Sequence, residues 1–535
     1  MSCTTILVGK DATYDGSTMI ARNDDSGSGH FTAKKFTVVS AKDLPKKYVS
    51  VLSHVEIPLP AKGFRYTCTP NAVEGKGIWA AAGVNEKNVG MTATETITSN
   101  PRVLGADPLV EYEAAKDGKP EKKGGIGEED LVVLVLPYIK SAREGVKRLG
   151  ELLEKYGTYE MNGIAFSDEK EIWWMETIGG HHFIARRVPD DCYVVMPNQL
   201  GIDYFDLEDA FGAQREYMCS SDLREFMEEN HLNLSMWGSD LSDDEKLDKD
   251  IFNPREAFGS QSDADHVYNT PRAWYMLRYF NPMTADFDGP DADFRPQDDY
   301  LPWRMSPERK ITPEDVKYVL SSHYQGTPYD PYKSYGDKSQ AGAYRSIGIN
   351  RNDFLGFIQI RPYMPAPAKA VEWVAFASNA FNTMVPFYTN VETTPSYMNS
   401  TTGTVSTDSF YWTSRLIAAM ADASYKTSLN LIERYEEAVL SKAHQILAKT
   451  DKIFLDAAAE QKLNDASRKA AAAKKEGAKQ VRAKKPVGKA EAIKICTAAN
   501  EETAAMVRKE AEETLSKVLD ACSNSMKNQY ARSDA

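Results

Sequence analysis

Short apolar runs separated by turn signals occupy roughly the first 400 residues. Residues 4–8 are β-branched and apolar and predict a strand. Tyr14-Asp15-Gly16-Ser17 is a turn signal, so residues 18–22 predict the returning arm of a hairpin. Residues 35–40 alternate like another strand. A second hairpin is expected where residues 78–83 and 89–96 flank Asn85-Glu86-Lys87-Asn88. Helical spacing follows over 128–139 and 142–156, with Gly157 suited to a C-cap. Strands are predicted again at 164–167, 172–177, 183–188 and 193–196, then a helix over 214–229. Polar stretches at 239–250 and 286–299 read as loops. Thr312 and Pro313 open a capped helix to 322, and strands recur at 354–360, 371–377 and 383–388.

The pattern changes near Ser406. Ala, Lys, Glu, Leu and Arg dominate from there, and strand signals vanish. Residues 414–450 predict one or two long helices and 491–527 another, around an Ala/Lys-rich basic segment near 466–490. That segment reads as a solvated helix and linker, or as a contact for an acidic partner or nucleic acid. Strand runs with two helical layers and a helical tail indicate an α+β chain of stacked sheets.

The 535 residues are 42% hydrophobic and 26% charged, ordinary for a globular enzyme. A net charge of −13 argues against a nucleic-acid binder. None of the six cysteines forms a C-x-x-C pair, so a reducing compartment is expected. Residues 1–9 lack the basic start of a signal peptide, and no apolar run approaches the roughly 20 residues of a membrane span. Cytoplasmic residence is the expectation. His181-His182 belong to no H-E-x-x-H pattern, so no metal site is indicated. Gly124-Gly125-Ile126-Gly127 lacks the Lys-Ser/Thr of a phosphate loop and reads as a helix entry. Trp173-Trp174 reads as core on at least one strand face.

The strongest chemical signal is Met1-Ser2-Cys3. Removal of residues 1–2 as a short propeptide would leave Cys3 with a free α-amine of ordinary pKa about 7.7–8.0. That amine can accept the thiol proton, and the thiolate is a nucleophile. The bland alternative is a buried structural thiol, a common fate for cysteine. Arg22 and Asp25 follow on the returning strand: a cation beside the thiol favours thiolate, and a carboxylate orients an amine. The alternative for them is a surface ion pair of little value.

Together these residues resemble a known family. Cys3-Thr-Thr-Ile-Leu-Val-Gly, Tyr14-Asp-Gly-Ser17 and Ala21-Arg22-x-x-Asp25-Ser26 are similar to the start of the dipeptidase A family (peptidase family C69). These are cysteine peptidases related to penicillin V acylases and bile salt hydrolases. The resemblance continues through Gly83 to Thr96, Met196-Pro-Asn-Gln199, Asn269-Thr-Pro-Arg272 and the segment from His323 to Pro331. It covers roughly residues 3–400.

The resemblance implies an αββα four-layer N-terminal-nucleophile sandwich over residues 3–405, with a helical C-terminal region over 406–535. It implies Cys3 as nucleophile, Arg22 beside the thiolate, Asp25 on the Cys3 amine, Asn198 at the oxyanion and Arg272 completing the site. Asn85 and Glu95 are assigned to substrate binding. Glu95 stands where related acylases carry an oxyanion-hole Asn, and a carboxylate there would repel an oxyanion. Glu95 is therefore expected to bind the ammonium of an unblocked dipeptide, or else to face solvent or a nearby Lys. The implied reaction is acyl transfer through a thioester, without cofactor or metal. A homo-oligomer is expected by analogy. Two other functions stand beside the dipeptidase: an amidase of the same fold acting on N-acylated amines, and a non-catalytic secernin-like binding protein.

Overall fold

The computed structural model describes residues 3–234, 250–474 and 487–526. The propeptide at 1–2, the loop expected at 239–250 (apart from Asp250) and residues 475–486 of the basic segment lie outside them. Strand β1 (Thr4–Val8) and its hairpin partner β2 (Thr18–Asp25) stand near the middle of a seven-stranded antiparallel sheet. Its order is Arg304–Met305, Tyr193–Met196, β1, β2, Asn352–Ile360, Ala370–Phe376 and Val385–Tyr388. A second antiparallel sheet has six strands: Tyr217–Cys219, His182–Val188, Ile172–Ile178, Asn162–Ser167, Gly90–Thr96 and Ala82–Val84.

Successive side chains of a strand point to opposite faces, and that rule sorts the apolar residues into three cores. Leu7 and Ile20 of the first sheet pack against the face of the second that carries Ala165, Trp174 and Ile184. Ile6, Val8 and Ala21 pack outward on Trp274, Met276 and Leu277 of helix Thr270–Phe280 and on Val316 and Val319 of helix Pro313–Leu320. The other face of the second sheet, with Phe166, Trp173 and Met175, buries Val146, Leu149 and Leu153 of helix Ala142–Tyr156. The chain is thus an α+β structure in which helices cover the outer faces of two apposed sheets. Trp173 and Trp174 are both fully buried, one on each face of their strand.

Several predicted elements form as expected. Helix Ala142–Tyr156 ends at Gly157, whose φ of 66° suits glycine. Helix Pro313–Leu320 opens on a capping box between Thr312 and Asp315. Three departures are instructive. The helix expected over 214–229 is edge strand Tyr217–Cys219, paired with Ile184 to Arg186, followed by a short helix Leu223–Glu229. The helix expected from 128 begins at Leu131, because the acids before it turn inward toward buried partners. Helix Thr270–Phe280 was not signalled, because it is buried over most of its circumference and shows no clear polar stripe.

The tail forms helices Phe410–Ala423, Tyr425–Lys474 and Lys489–Asn524. They complete the first sheet. Ile432, Tyr435, Val439, Val507 and Val518 belong to the inter-sheet core. The last sheet strand would otherwise end as an unpaired edge. Asn500 closes it: its Nδ2 donates to Tyr388 O at 2.9 Å and its Oδ1 accepts from Tyr388 N at 2.9 Å. Arg361 forms a two-pronged ion pair with Asp451, which also accepts from the Tyr388 hydroxyl at 2.7 Å. Among the described residues no helix is long and apolar enough to cross a membrane.

Replacing Asn500 with Ala strands two buried backbone groups, each costing about 1–3 kcal/mol. We expect Asn500→Ala to lower unfolding free energy by about 2–4 kcal/mol in denaturant titration. A loss below about 0.5 kcal/mol, the size of an ordinary surface change, would show that water replaces the amide at that edge.

Candidate active site

Cys3 lies at the entry of β1, fully buried. Alternation along β1 places it on the same face as Leu7, toward the second sheet. Arg22 occupies the same face of β2, since Thr4 pairs with Asn23 and Thr5 with Arg22. Arg22 Nη2 donates to Cys3 Sγ at 2.6 Å, to Asp24 Oδ1 at 3.0 Å and to Glu128 Oε1 at 3.2 Å. Lys34, also buried, forms an ion pair with Asp24 Oδ2 at 2.8 Å and donates to Trp79 O at 3.0 Å.

Cys3, Asp24 and Glu128 hold ligand atoms within 4.8 Å of one another, a spacing that could suit a metal ion. Arg22 Nη2 already lies against all three. A guanidinium fills the position that a cation would take.

Burial pushes the Asp24 carboxyl up, but the Lys34 and Arg22 charges outweigh it and leave it below its ordinary range. Behind Glu128 the acidic turn continues. Glu129 accepts from the Ser50 hydroxyl and from Leu52 N at 2.9 Å, and Asp130 accepts from the Tyr48 hydroxyl at 2.6 Å. Glu160 accepts from Glu128 N at 2.7 Å. Burial and the Glu128 charge push Glu160 up to about 7. Burial, joined by the Glu129 charge, does the same for Asp130, also to about 7.

The opposite face of the hairpin holds the backbone of Cys3. Helix Thr270–Phe280 brings Arg272 there, fully buried. Its Nη1 donates to Cys3 O and to Thr4 Oγ1, the latter at 2.7 Å. Its Nη2 donates to Asn198 Oδ1 at 2.8 Å and to Asn269 Oδ1 at 2.7 Å. Thr5 pairs with Met196, so continuing that register by two residues brings Asn198 across from Cys3. Asn198 Nδ2 donates to Thr96 O at 2.9 Å, linking this end of the first sheet to a strand end of the second.

Cys3, Arg22, Asn198 and Arg272 therefore form one connected cluster. Asp25 falls on the other face of β2 from Arg22 and pairs with Arg345, while Asn352 Nδ2 donates to its Oδ1 at 2.8 Å. Arg345 and Arg272 both lie over the Tyr268 ring, at 5.1 and 5.2 Å, which joins Asp25 to the cluster. Glu95 lies next to Thr96 in its strand, where the register shifts against the neighbouring strand; its side chain is outside the described residues. The structure does not bring Asn85 to this site. Asn85 stands at the turn end of the same strand pair. Its amide donates to Leu136 O and Ile139 O, both at 2.8 Å, and accepts from Lys87 N and Val89 N. It pins the hairpin and has no capacity left for a substrate.

Sequence reasoning missed Asp24, Lys34, Glu128 and Asn269. Asn269 opened the Asn269-Thr-Pro-Arg272 motif, and Glu128 opened an acidic triplet directly after a glycine-rich turn. Lys34 carried no local signal.

The sequence pattern of Peptidase family C69 matches residues 2–438. The "Dipeptidase" of Bifidobacterium longum (strain NCC 2705) is 53% identical over 547 residues, covering 100% of each protein. "Probable dipeptidase A" of Streptococcus pyogenes serotype M18 (strain MGAS8232) is 53% identical over 446 residues, 83% of this chain and 87% of its own. "Dipeptidase A" of Lactobacillus helveticus is 46% identical over 453 residues, 84% and 88% of the two chains. With the family pattern spanning most of the chain and one relative aligned along its whole length, this protein belongs to peptidase family C69 and is a peptidase.

Proposed function

We propose that this peptidase is a cysteine dipeptidase that hydrolyses unblocked dipeptides with Cys3 as an N-terminal nucleophile. One observation carries the reading: Arg22 binds the Cys3 sulfur while Arg272 ties the carbonyl of the same residue to Asn198. A buried structural thiol needs no guanidinium, whereas a thiolate does. The helix-covered pair of antiparallel sheets, with Cys3 at the entry of a central strand, supports an αββα N-terminal-nucleophile sandwich. The names of the relatives support dipeptides as substrates.

In this scheme residues 1–2 are removed and the Cys3 α-amine becomes the base. It takes the thiol proton, and Arg22 stabilises the thiolate. Asp25, itself oriented by Arg345 and Asn352, is assigned to hold that amine. Sulfur attacks the peptide carbonyl. Asn198 uses one amide N–H on Thr96 O and has a second for the oxyanion. The C–N bond breaks as the ammonium returns its proton to the leaving amine. Water, deprotonated by the same amine, then cleaves the thioester. The atoms balance without a metal or an organic cofactor.

Intact mass of the active protein is expected to show a chain beginning at Cys3. Cys3→Ala should lower kcat/KM for a dipeptide panel by at least about 10³-fold, the scale of losing a covalent nucleophile. Full activity in a protein that still begins with Ser2 would rule out the amine as base. Turnover of an N-acylated amine alone would assign the chain to amidases, and no thiol-dependent turnover would assign it to non-catalytic relatives.

Arg22→Gln removes the cation from the sulfur. Alkylation of Cys3 by iodoacetamide should slow at least about tenfold at pH 7, with its pH profile displaced upward. An unchanged profile would show that the thiol does not depend on Arg22.

A further inference from the structure

We propose that Glu128 binds the α-ammonium of the substrate and so sets a requirement for a free amino terminus. This inference rests on Cys3 being the nucleophile, as proposed above.

A cavity of about 520 Å³ opens between segments 26–34 and 71–79, lined among others by His30, Phe31, Lys34, Asn71, Lys76 and Trp79. That volume falls in the range of roughly 300–1,000 Å³ usual for small-ligand sites. Two routes tie it to the sulfur. Lys34 in its wall reaches Asp24, which shares Arg22 with Cys3. Trp79 in its wall and Glu129 both abut Gly77, where an added Cβ would lie 2.7 Å from the indole nitrogen and 1.9 Å from Glu129 Oε2. Glu128 is the next residue toward the thiol.

Glu128 is 2% exposed. Its Oε1 takes the longest of the three Arg22 Nη2 bonds, and its Oε2 has no hydrogen-bond partner among the described residues. A buried carboxylate oxygen without a donor is costly, so a group that donates to it is bound well. Of the neighbouring acids, Glu129 also has an oxygen without a hydrogen-bond partner among the described residues, but that oxygen abuts Gly77. Asp24 is held by Arg22 and Lys34, and Glu160 accepts from Glu128 N.

The geometry of a peptide substrate fits the Glu128 carboxylate. At attack the carbonyl carbon lies about 3–3.5 Å from sulfur. The α-nitrogen of the same residue is about 2.5 Å from that carbon, from standard bond lengths and angles. An ammonium therefore lies within roughly 6 Å of Sγ, and a carboxylate oxygen bonding it sits about 2.7–3.0 Å further along its own direction. Glu128 has a carboxylate oxygen within 4.8 Å of Cys3 Sγ, inside that reach. A primary ammonium, with three donors and a positive charge, matches an unpaired buried oxygen. An N-acyl group brings one neutral donor and extra bulk, and does not.

The test compares kcat/KM for an unblocked dipeptide and its N-acetyl derivative in the wild type, Glu128→Gln, Glu128→Asp and Glu95→Gln. Iodoacetamide alkylation of Cys3 and thermal unfolding are followed in parallel. For Glu128→Gln we expect the free-to-acetylated preference to fall at least tenfold, with the alkylation rate within about threefold of wild type. Glu128→Asp should keep most of the preference, and Glu95→Gln all of it. An equal fall for both substrates in Glu128→Gln would overturn the inference, because it would mark an effect on the thiol alone. Collapse of the preference in Glu95→Gln instead would move the ammonium site to Glu95. A wild type that cleaves both substrates equally would remove the requirement itself while leaving the dipeptidase reading intact.

Discussion

One guanidinium nitrogen holds this site together. Arg22 Nη2 lies within 3.2 Å of a thiol and two carboxylates, all withdrawn from solvent between two sheets. Burial opposes charge on Asp24, and the Lys34 and Arg22 cations beside it outweigh that. Lys34 adds a second positive charge behind Asp24. The apolar contacts of Leu7 and Ile20 with the second sheet exclude water nearby and so strengthen the same interactions. The core thus sets the dielectric in which Arg22 acts.

Strand alternation divides the labour. Cys3, Arg22 and Asp24 share the inner face, so the sulfur meets its cation across one hairpin. Thr4, Asn23 and Asp25 share the outer face. There Arg272 holds Thr4 and the Cys3 carbonyl, Asn23 donates to Leu320 O at 2.8 Å, and Asp25 meets Arg345. A slip of one residue would exchange these sets and separate sulfur from guanidinium. Ile6, Leu7 and Val8, which alternate between two different cores, oppose such a one-residue slip.

The strands were legible because their apolar periods are short and bounded by turn signals. β1 and Tyr193–Met196 form with the expected limits. β2 runs past the expected Arg22 because Asn23, Asp24 and Asp25 look like a polar strand end until each finds a buried partner. Such partners come from residues up to 356 positions away, and no local pattern encodes them. Tyr217–Cys219 failed for a related reason: three residues are too few for a period, and the edge of the second sheet decides their conformation. In the site, the cluster of Cys3, Arg22, Asn198 and Arg272 was legible through family resemblance. Glu128 was not, because an acidic triplet before an apolar run reads as an ordinary helix start. Asn85 misled because a polar residue in a hairpin that resembles the family's can be spent entirely on local contacts.

The composition change near residue 406 marks a change of secondary structure, and the core runs across it. Phe410 and Tyr411 pack on Phe376 of the first sheet, at 5.8 Å between ring centroids in both cases. Arg415, in the same helix, donates to Asn350 O at 2.7 Å, to Asn352 O at 2.8 Å and to Asp353 Oδ1 at 3.3 Å. Asn352 in turn holds Asp25, and Asp353 accepts from Ser26 and Thr32 at the cavity rim. A helical residue far along the chain thus fixes the backbone on which Asp25 is oriented. The helices also close the far edge of the same sheet through Asn500. Both contacts make the tail a constraint on the sheet that carries Cys3, so the geometry at the thiol is set by the whole length of the chain and not by its first strands alone.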